Sequence, residues 1–592
     1  MWIRRHLPKS HSCREPRSVR LVLVRFISPT GTSLSRRSWC AGARTPRQRP
    51  VDRCTIGHTL AVIGEGKDRM DSRTRLRLVT TVCLASSSTT VVAAGMSYLI
   101  LPMVDDLQLT LDQASGALAI PSIGALLVVF IAGVMAQRFG DRRSLLFAAL
   151  AYFFGCVVMS TAPNLPLVTF GLLMVSTSGV TLSVVALGML SARIGDTRDR
   201  ATAFATLGIV APMVFIIVPV LAGIITQISS WRWIPVIWAC LSVLIVLSTW
   251  LLLRPTPATG KPIELVTPLL AGIFMAGVLQ VFNHWSLGGI SNPRVWIPLV
   301  GAALALAVFA WTRRRLSHPS LSLVPLTSRS TWPLIVAFLV FPLANTFFFI
   351  TVGWQYLFGL NALQTALIMI PLQLTCVIGA KFVAGPVVQR WGLSRGGVGL
   401  ICLYIVFTFG LLAVQDASSI WITAVITSLW AGSFTAVTVV LNNAMMSSQP
   451  PRFAGNVSAY QKASGAVSGT LSAVLIGPLV LVAIGTAMET KLLAGGASSA
   501  SAESLRDDIQ SSTSHAEQLR IYSYNIPGEK ELEELHKESL IVGLRTDALL
   551  GGVLGFATLG LFMFARPGGN RELDRGGARI RRDTHSGVPP ES

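Results

Sequence analysis

Two lysines, Lys381 and Lys462, have the greatest chemical potential in this sequence, because each stands inside a long apolar run. An ammonium deep in hydrocarbon costs several kcal/mol unless it faces water, finds a partner or reaches the edge of the layer. Such a group can hold an anion or exchange a proton. Lys381 lies close to one end of its run and could snorkel out, whereas Lys462 stands about two turns inside its own. Neutral polar side chains occupy similar runs: Asn345, Gln373, Asn442, Asn443 and Gln461, with Ser176, Thr177 and Ser178. They can line a wet path through lipid or simply hold helices together. His284 follows Gln280 and Asn283 at the end of another run, where an imidazole either titrates or anchors an interface. Between Leu78 and Ile484 no Asp or Glu falls at the middle of an apolar run; Asp105, Asp106, Asp112, Asp416 and Glu264 all sit at ends or in joints. Coupling through a carboxylate at mid-membrane therefore has no candidate in that stretch.

Soluble chemistry finds no support. There is no HExxH, GxSxG or Walker-type loop, and the eight cysteines show neither CxxC nor zinc-type spacing. Five of them (Cys83, Cys156, Cys240, Cys376, Cys402) fall in apolar runs and read as small packing residues. No enzyme activity, cofactor or metal site is expected.

The elements that position these groups follow from composition. Of 592 residues, 52% are hydrophobic and 13% charged, where a soluble domain carries roughly a quarter charged. Apolar blocks of about the length that crosses a bilayer core recur at 78–104, 114–136, 144–162, 166–192, 201–225, 233–253, 263–282 and 295–312, then at 332–352, 363–387, 396–414, 420–445, 457–484 and 548–564. The fold class expected is an all-α polytopic membrane protein with about fourteen transmembrane helices. Every second joint is basic: Arg138, Arg142 and Arg143; Arg193, Arg198 and Arg200; Arg254 and Lys261; Arg313, Arg314, Arg315 and Arg329; Arg390 and Arg395; Arg452. The opposite short joints carry only Arg232 and Arg294. Lys and Arg are retained on the cytoplasmic side, so both termini are expected there, in a multi-pass protein of the cell membrane.

The net charge of +21 does not imply nucleic acid. Eighteen Lys and Arg against five Asp and Glu lie between Met1 and Arg77, and no nucleic-acid motif accompanies them. Residues 1–77 read as a disordered basic tail, like a transit peptide in composition, with Met70 an alternative start before the cap MDSRTRLRLV. The expected organisation continues with a six-helix bundle at 78–253, two inserted helices at 254–315, a second six-helix bundle at 316–566 and a disordered tail at 567–592. A long external loop at 489–545 should form short amphipathic helices around a turn at Asn525 to Gly528.

An internal repeat supports two bundles. Gly133-Val-Met-Ala-Gln137-Arg138-Phe139-Gly140-Asp141-Arg142-Arg143 returns as Gly385-Pro-Val-Val-Gln389-Arg390-Trp391-Gly392-Leu393-Ser394-Arg395, 252 residues later. That offset suits eight spans, so two related halves flank an inserted pair, and parallel repeats of this kind build one class of transporter. Each copy reads as a tight turn with glycines where helices approach and arginines at lipid phosphates.

These elbows resemble the GxLaDRxGxrr signature of the major facilitator superfamily, and further pieces resemble its fourteen-span drug:proton antiporter branch. Pro219 to Gly223 is similar to the GPxxGG motif of span five, and Ser230-Trp231-Arg232-Trp233 to the WRW after it. HPSLSLVPLTSRSTW from His318, Tyr356 to Gly359 with Pro371, and Lys462 to Gly469 resemble later blocks. The resemblance runs from about Leu78 to Pro567. It implies a monomeric secondary transporter in the lipid membrane, exporting small amphiphilic or drug-like molecules by alternating access. The sequence departs from the pattern in three places: Gln137 replaces the signature aspartate with Asp141 nearby, span four lacks the coupling arginine, and span one lacks its aspartate. These losses leave a membrane sensor or scaffold of the same fold as the alternative. The positive bias of the inventory suits a neutral or anionic substrate better than a lipophilic cation.

Overall fold

The computed structural model describes residues 71–108, 111–254, 264–286, 293–316, 319–344, 346–347, 350, 362–414, 420–494 and 530–567. The basic tail before Asp71, Asn345, His318, the block Tyr356 to Gly359, the turn at Asn525 to Gly528 and the tail after Pro567 lie outside them, as does the side chain of Gln137.

Among the described residues the apolar blocks become helix because hydrocarbon offers the backbone no partner but itself. The first group comprises α1 (Ser72–Leu107), α2 (Leu111–Phe139), α3 (Asp141–Thr161), α4 (Leu165–Arg193), α5 in two pieces (Thr197–Leu207 and Val210–Ile228) and α6 (Trp233–Leu252). The start of α4 is fixed locally: Asn164 accepts from the Leu167 N–H at 3.2 Å, and a proline follows in the first turn. α4 is the centre of this bundle, packing on α1, α2 and α3, while α6 closes on α1 and α3.

Next come α7 (Val266–Ser286) and α8 (Pro293–Arg315), which pair with one another and lean on α2 through α7. In the most apolar stretch of α4, 78% is buried, against 17% in α8. A helix apolar all round with so little cover fits a flank facing lipid.

The second bundle holds α9 (Trp332–Val340), α10 (Ala362–Ile378, extended by a π-turn at Gly379–Ala384), α11 (Gly385–Gly410) and α12 (Ile420–Ser447). It ends with α13, formed by Ala454–Leu471 and Gly477–Ala494 around a second π-turn at Ser472–Ile476, and α14 (Lys530–Ala565). α14 runs along α11 and also packs on α9 and the outer piece of α13. Among the described residues ten segments are long and apolar enough to cross a membrane; one of them, Leu367–Ala413, has 47 residues and is too long for a single crossing. It folds back at Gly392.

The region between α13 and α14 differs from expectation. Lys530 to Ala565 is one helix of 36 residues, and α13 reaches Ala494. The charged stretch KELEELHKES has no proline or glycine to stop it, so it extends the apolar helix instead of forming a separate amphipathic one. The loop expected at 489–545 is thus helical at both ends.

Candidate functional site

The two bundles close on one another at the end that carries the arginine-rich joints. Gly133 of α2 and Gly455 of α13 meet backbone to backbone: a Cβ on Gly133 would lie 2.5 Å from the Gly455 carbonyl oxygen. Gly188 of α4 faces the same glycine, and the Ser458 hydroxyl donates across to the Val184 carbonyl at 3.0 Å. Phe130 and Tyr460 pack edge to face with centroids 5.5 Å apart. Arg200 donates to Ser447 Oγ at 3.1 Å, and Gln389 donates to Thr202 Oγ1 at 2.8 Å. Only glycine permits this approach of α2 to α13, since any side chain would wedge the bundles apart.

Both elbows sit at this end, and they share a backbone conformation. Gly140 has φ 79° and ψ 152°, and Gly392 has φ 78° and ψ 165°, a region that side chains exclude. Their equivalence gives the sequence repeat a physical cause: each reverses the chain between two spans in a single residue. Asp141 accepts an ion pair from Arg193 at 2.8 Å, and Arg142 donates to the Trp250 carbonyl at 2.8 Å. In the second elbow Arg390 and Arg395 are exposed. Arg138 lies over the ring of Phe139, 5.3 Å from its centroid.

Directly above the closure is a layer of neutral amides. Gln461 donates from Nε2 to Asn442 Oδ1, Asn442 donates to the Thr438 carbonyl at 2.9 Å, and Gln461 Oε1 is buried without a partner. Lys462 follows in the same helix, half-buried, seven residues past Gly455 and so roughly 10 Å above the seal. Asn443 is buried and engages Ser447 on its own helix. The structure therefore joins Asn442 of α12 to Gln461 of α13, with Lys462 next to Gln461 in the chain.

Other candidates separate from this layer. Lys381 lies in the π-turn and is exposed, with its ammonium 6.0 Å from the ring centroid of Phe382, well apart from the amides in the chain and near the elbow it precedes. Gln373 is buried in α10. Ser176, Thr177 and Ser178 bond back to carbonyls of their own helix, and Ser176 fills the space opposite Gly124 of α2. They serve packing. Pro219 lies inside the outer piece of α5, and a Cβ on Gly223 would meet nothing within 4 Å.

At the opposite end Asp106 ties three helices together. It accepts from Trp231 Nε1 at 3.0 Å and from Arg232 Nη2 at 2.8 Å, while Arg232 also donates to the Ala162 carbonyl at 2.6 Å. The lone arginine of that joint is thereby explained by its partner.

One functional group escapes the sequence reading. Asp547 lies inside α14, fully buried, with neither carboxylate oxygen hydrogen-bonded. Starting the last span at Ala548 left it outside, because Arg545 and Asp547 depress local hydropathy. Helical spacing carried the signal: Leu540, Ile541, Leu544 and Ala548 are all buried, and position 547 falls on the same face.

Comparison with known proteins agrees with this architecture. Residues 80–473 match the model of the Major Facilitator Superfamily. A lincomycin resistance protein of Streptomyces lincolnensis is 30% identical over 46% of this chain and 56% of its own length. A puromycin resistance protein of Streptomyces alboniger is 24% identical over 44% and 53% respectively, so the chain spans about half the length of these relatives. Multidrug resistance protein Stp of Mycobacterium tuberculosis is 20% identical over 64% of this chain and 71% of its own. Among solved structures, the human organic anion transporter MFSD10 superposes with a TM-score of 0.52 at 12% identity, covering 82% of this chain and all of that one; the likeness is one of fold. With the family model spanning most of the helices, and with twin glycine elbows at the ends of two packed bundles, this chain belongs to the Major Facilitator Superfamily.

Proposed function

We propose that the protein is a secondary active exporter of small amphiphilic or drug-like molecules, in which the α1–α6 and α9–α14 bundles rock about the amide layer to expose it to one side and then the other. The observation that carries this reading is the glycine-on-glycine seal beneath Asn442, Gln461 and Lys462: its centre is backbone against backbone, ringed by a few side-chain contacts such as Phe130 with Tyr460 and Ser458 with Val184, so it can part and reform at small cost, and it precedes in α13 the polar groups that a solute could satisfy. The resistance proteins among the relatives favour efflux of antibiotic-like compounds. The arginine-rich end is then cytoplasmic, both termini face the cytoplasm, and about fourteen spans cross the cell membrane. The inserted α7 and α8 flank the machine, and a monomer suffices.

Lys462 gives the site a positive bias, so neutral and anionic amphiphiles should be preferred to lipophilic cations. The test is flux in proteoliposomes with puromycin, lincomycin, an anionic fluorescein derivative and ethidium. The expected result is export of the neutral or anionic compounds, at least ten-fold reduced by Lys462→Ala for the anionic one (about 1.4 kcal/mol). Ethidium carried best, and slowed by Lys462→Ala, would contradict the charge preference; no flux of any compound would contradict transport. No observation favours the sensor alternative.

A further inference from the structure

The final helix carries a carboxyl group that neither the gate nor the amide layer uses. Asp547 is 0% exposed, and both of its oxygens lack a hydrogen-bond partner. Thr346, itself 1% exposed and with a hydroxyl that makes no hydrogen bond of normal geometry, is a polar side chain within reach of the carboxyl. One turn further along α14, the Cβ of a residue at Gly551 would touch Thr408 of α11, Ala344 and Thr346. Asp547 therefore faces the point where α9 fails. That helix ends at Val340, and Phe341 and Pro342 form a turn with the Leu343 N–H bonded to the Val340 carbonyl at 3.2 Å. Pro342 has no N–H to give and its ring crowds the preceding turn, which favours a break in the helix here.

The charged and titratable groups around Asp547 are accounted for among the described residues. Arg545 on the same helix is held by the Val414 carbonyl, at 3.2 Å through Nη2. Lys491 of α13 pairs with Glu538. Tyr404 of α11 is a titratable side chain near enough to interact with the carboxylate's charge, and Arg329, before α9, lies over Phe564 at the far end of α14. Among the described residues no cation is paired with the carboxylate. A bare ionised carboxylate in such surroundings costs several kcal/mol, and a proton removes that cost.

We propose that Asp547 is a proton-binding site, and that its protonation state sets how the broken end of α9 packs on α14. In the neutral state the carboxyl O–H donates to Thr346 Oγ1 and the contact is dry. On release to water of the proton, the Thr346 hydroxyl turns to donate to the carboxylate; one donor is too few for a charged group, so water enters and the α9 turn loosens. The same event links proton movement to the bundle that carries Lys462, which rests on the exporter reading above.

The experiment uses the full chain in liposomes. Hydrogen exchange of residues 332–344 is compared between wild type, Asp547→Asn and Asp547→Glu at matched pH from 5 to 9, so that intrinsic exchange rates cancel. Wild type is expected to exchange about ten-fold faster than Asp547→Asn at the alkaline end and to converge with it at the acid end, with Asp547→Glu keeping the pH dependence. In parallel, dicyclohexylcarbodiimide, which modifies protonated carboxyls in lipid, should label Asp547 at acid pH and progressively less as pH rises. A difference between wild type and Asp547→Asn that does not vary with pH, or pH-independent labelling, would overturn the proposal. Protection by sodium at constant pH would do so too, by assigning the site to a metal cation. Proton-gradient-driven accumulation of puromycin, lost in Asp547→Asn while down-gradient exchange persists, would establish coupling; accumulation retained in that variant would refute it. Absence of puromycin flux in the wild type counts against the exporter reading alone, since the exchange and labelling results still decide the proton site.

Discussion

The two bundles share a plan and differ in how they are held. In the first, ion pairs tie helix ends: Asp106 with Arg232 at one face, Asp141 with Arg193 at the other, and Arg75 of α1 with Asp199 of α5. Its helices α3, α4 and α6 run without a break. The second bundle is held by aromatic packing, with Phe341 stacked on Phe434 at 4.7 Å and in edge contact with Tyr404 at 5.0 Å, and Phe347 against Trp430 at 4.8 Å. Two π-turns interrupt its helices, α9 breaks after Val340, and it buries a carboxyl with no partner. π-turns and proline breaks are places where a helix can change register at small cost. We read this contrast as a division between a stiffer first bundle, the frame, and a more yielding second bundle, the moving part, as the two rock against each other.

The largest expected effect breaks the contact between them. Gly455→Leu would force α2 and α13 apart, and overpacking of this kind costs about 1–3 kcal/mol, a shift of roughly 5- to 150-fold against the closed state. Transport should fall by about that factor while the variant still elutes as a folded protein. Flux at the wild-type rate would remove the seal from the cycle.

A smaller effect separates the elbows. Alanine at Gly140 or Gly392 must adopt a conformation that costs of order 1–3 kcal/mol. At Gly392 the added Cβ meets nothing within 4 Å, so the cost is backbone alone, whereas Gly140 is buried and should lose more. Thermal unfolding in detergent should rank Gly140→Ala below Gly392→Ala, and the reverse order would mean that the second elbow, not the first, is the tighter brace. The smallest effect concerns the frame: Asp106→Asn should cost about 1 kcal/mol, because its side chain is 45% exposed and solvent screens the pair. A fall of a few degrees in melting temperature with unchanged pH dependence of flux is expected. A changed pH profile would instead draw the first bundle into the proton step and erase the division between frame and moving part.

The helices and the elbows were legible in the residues themselves. Hydropathy is summed along the chain, so most of the helices fall where the apolar blocks fall, with α9 stopping short at Val340 and α13 and α14 running past their blocks, and the repeat around Gly133 and Gly385 is visible because both copies must reverse the chain at one glycine. What could line the site was half legible. Lys462, Gln461 and Asn442 stood out as polar residues in apolar runs, yet so did Ser176 to Ser178, and only the Gln461–Asn442 bond between α13 and α12 sets the first group apart from hydroxyls that bond within their own helix.

Sequence alone determined that this protein lives in lipid as two kindred bundles with arginine at one set of helix ends, because bilayer thickness and charge exclusion act on each segment locally. Tertiary structure alone decided that Gly133 meets Gly455, that Arg232 answers Asp106 and that Asp547 is buried in α14 beside Thr346 of the segment after α9. Burial and partnership depend on segments hundreds of residues apart, and no local pattern records which of them arrive.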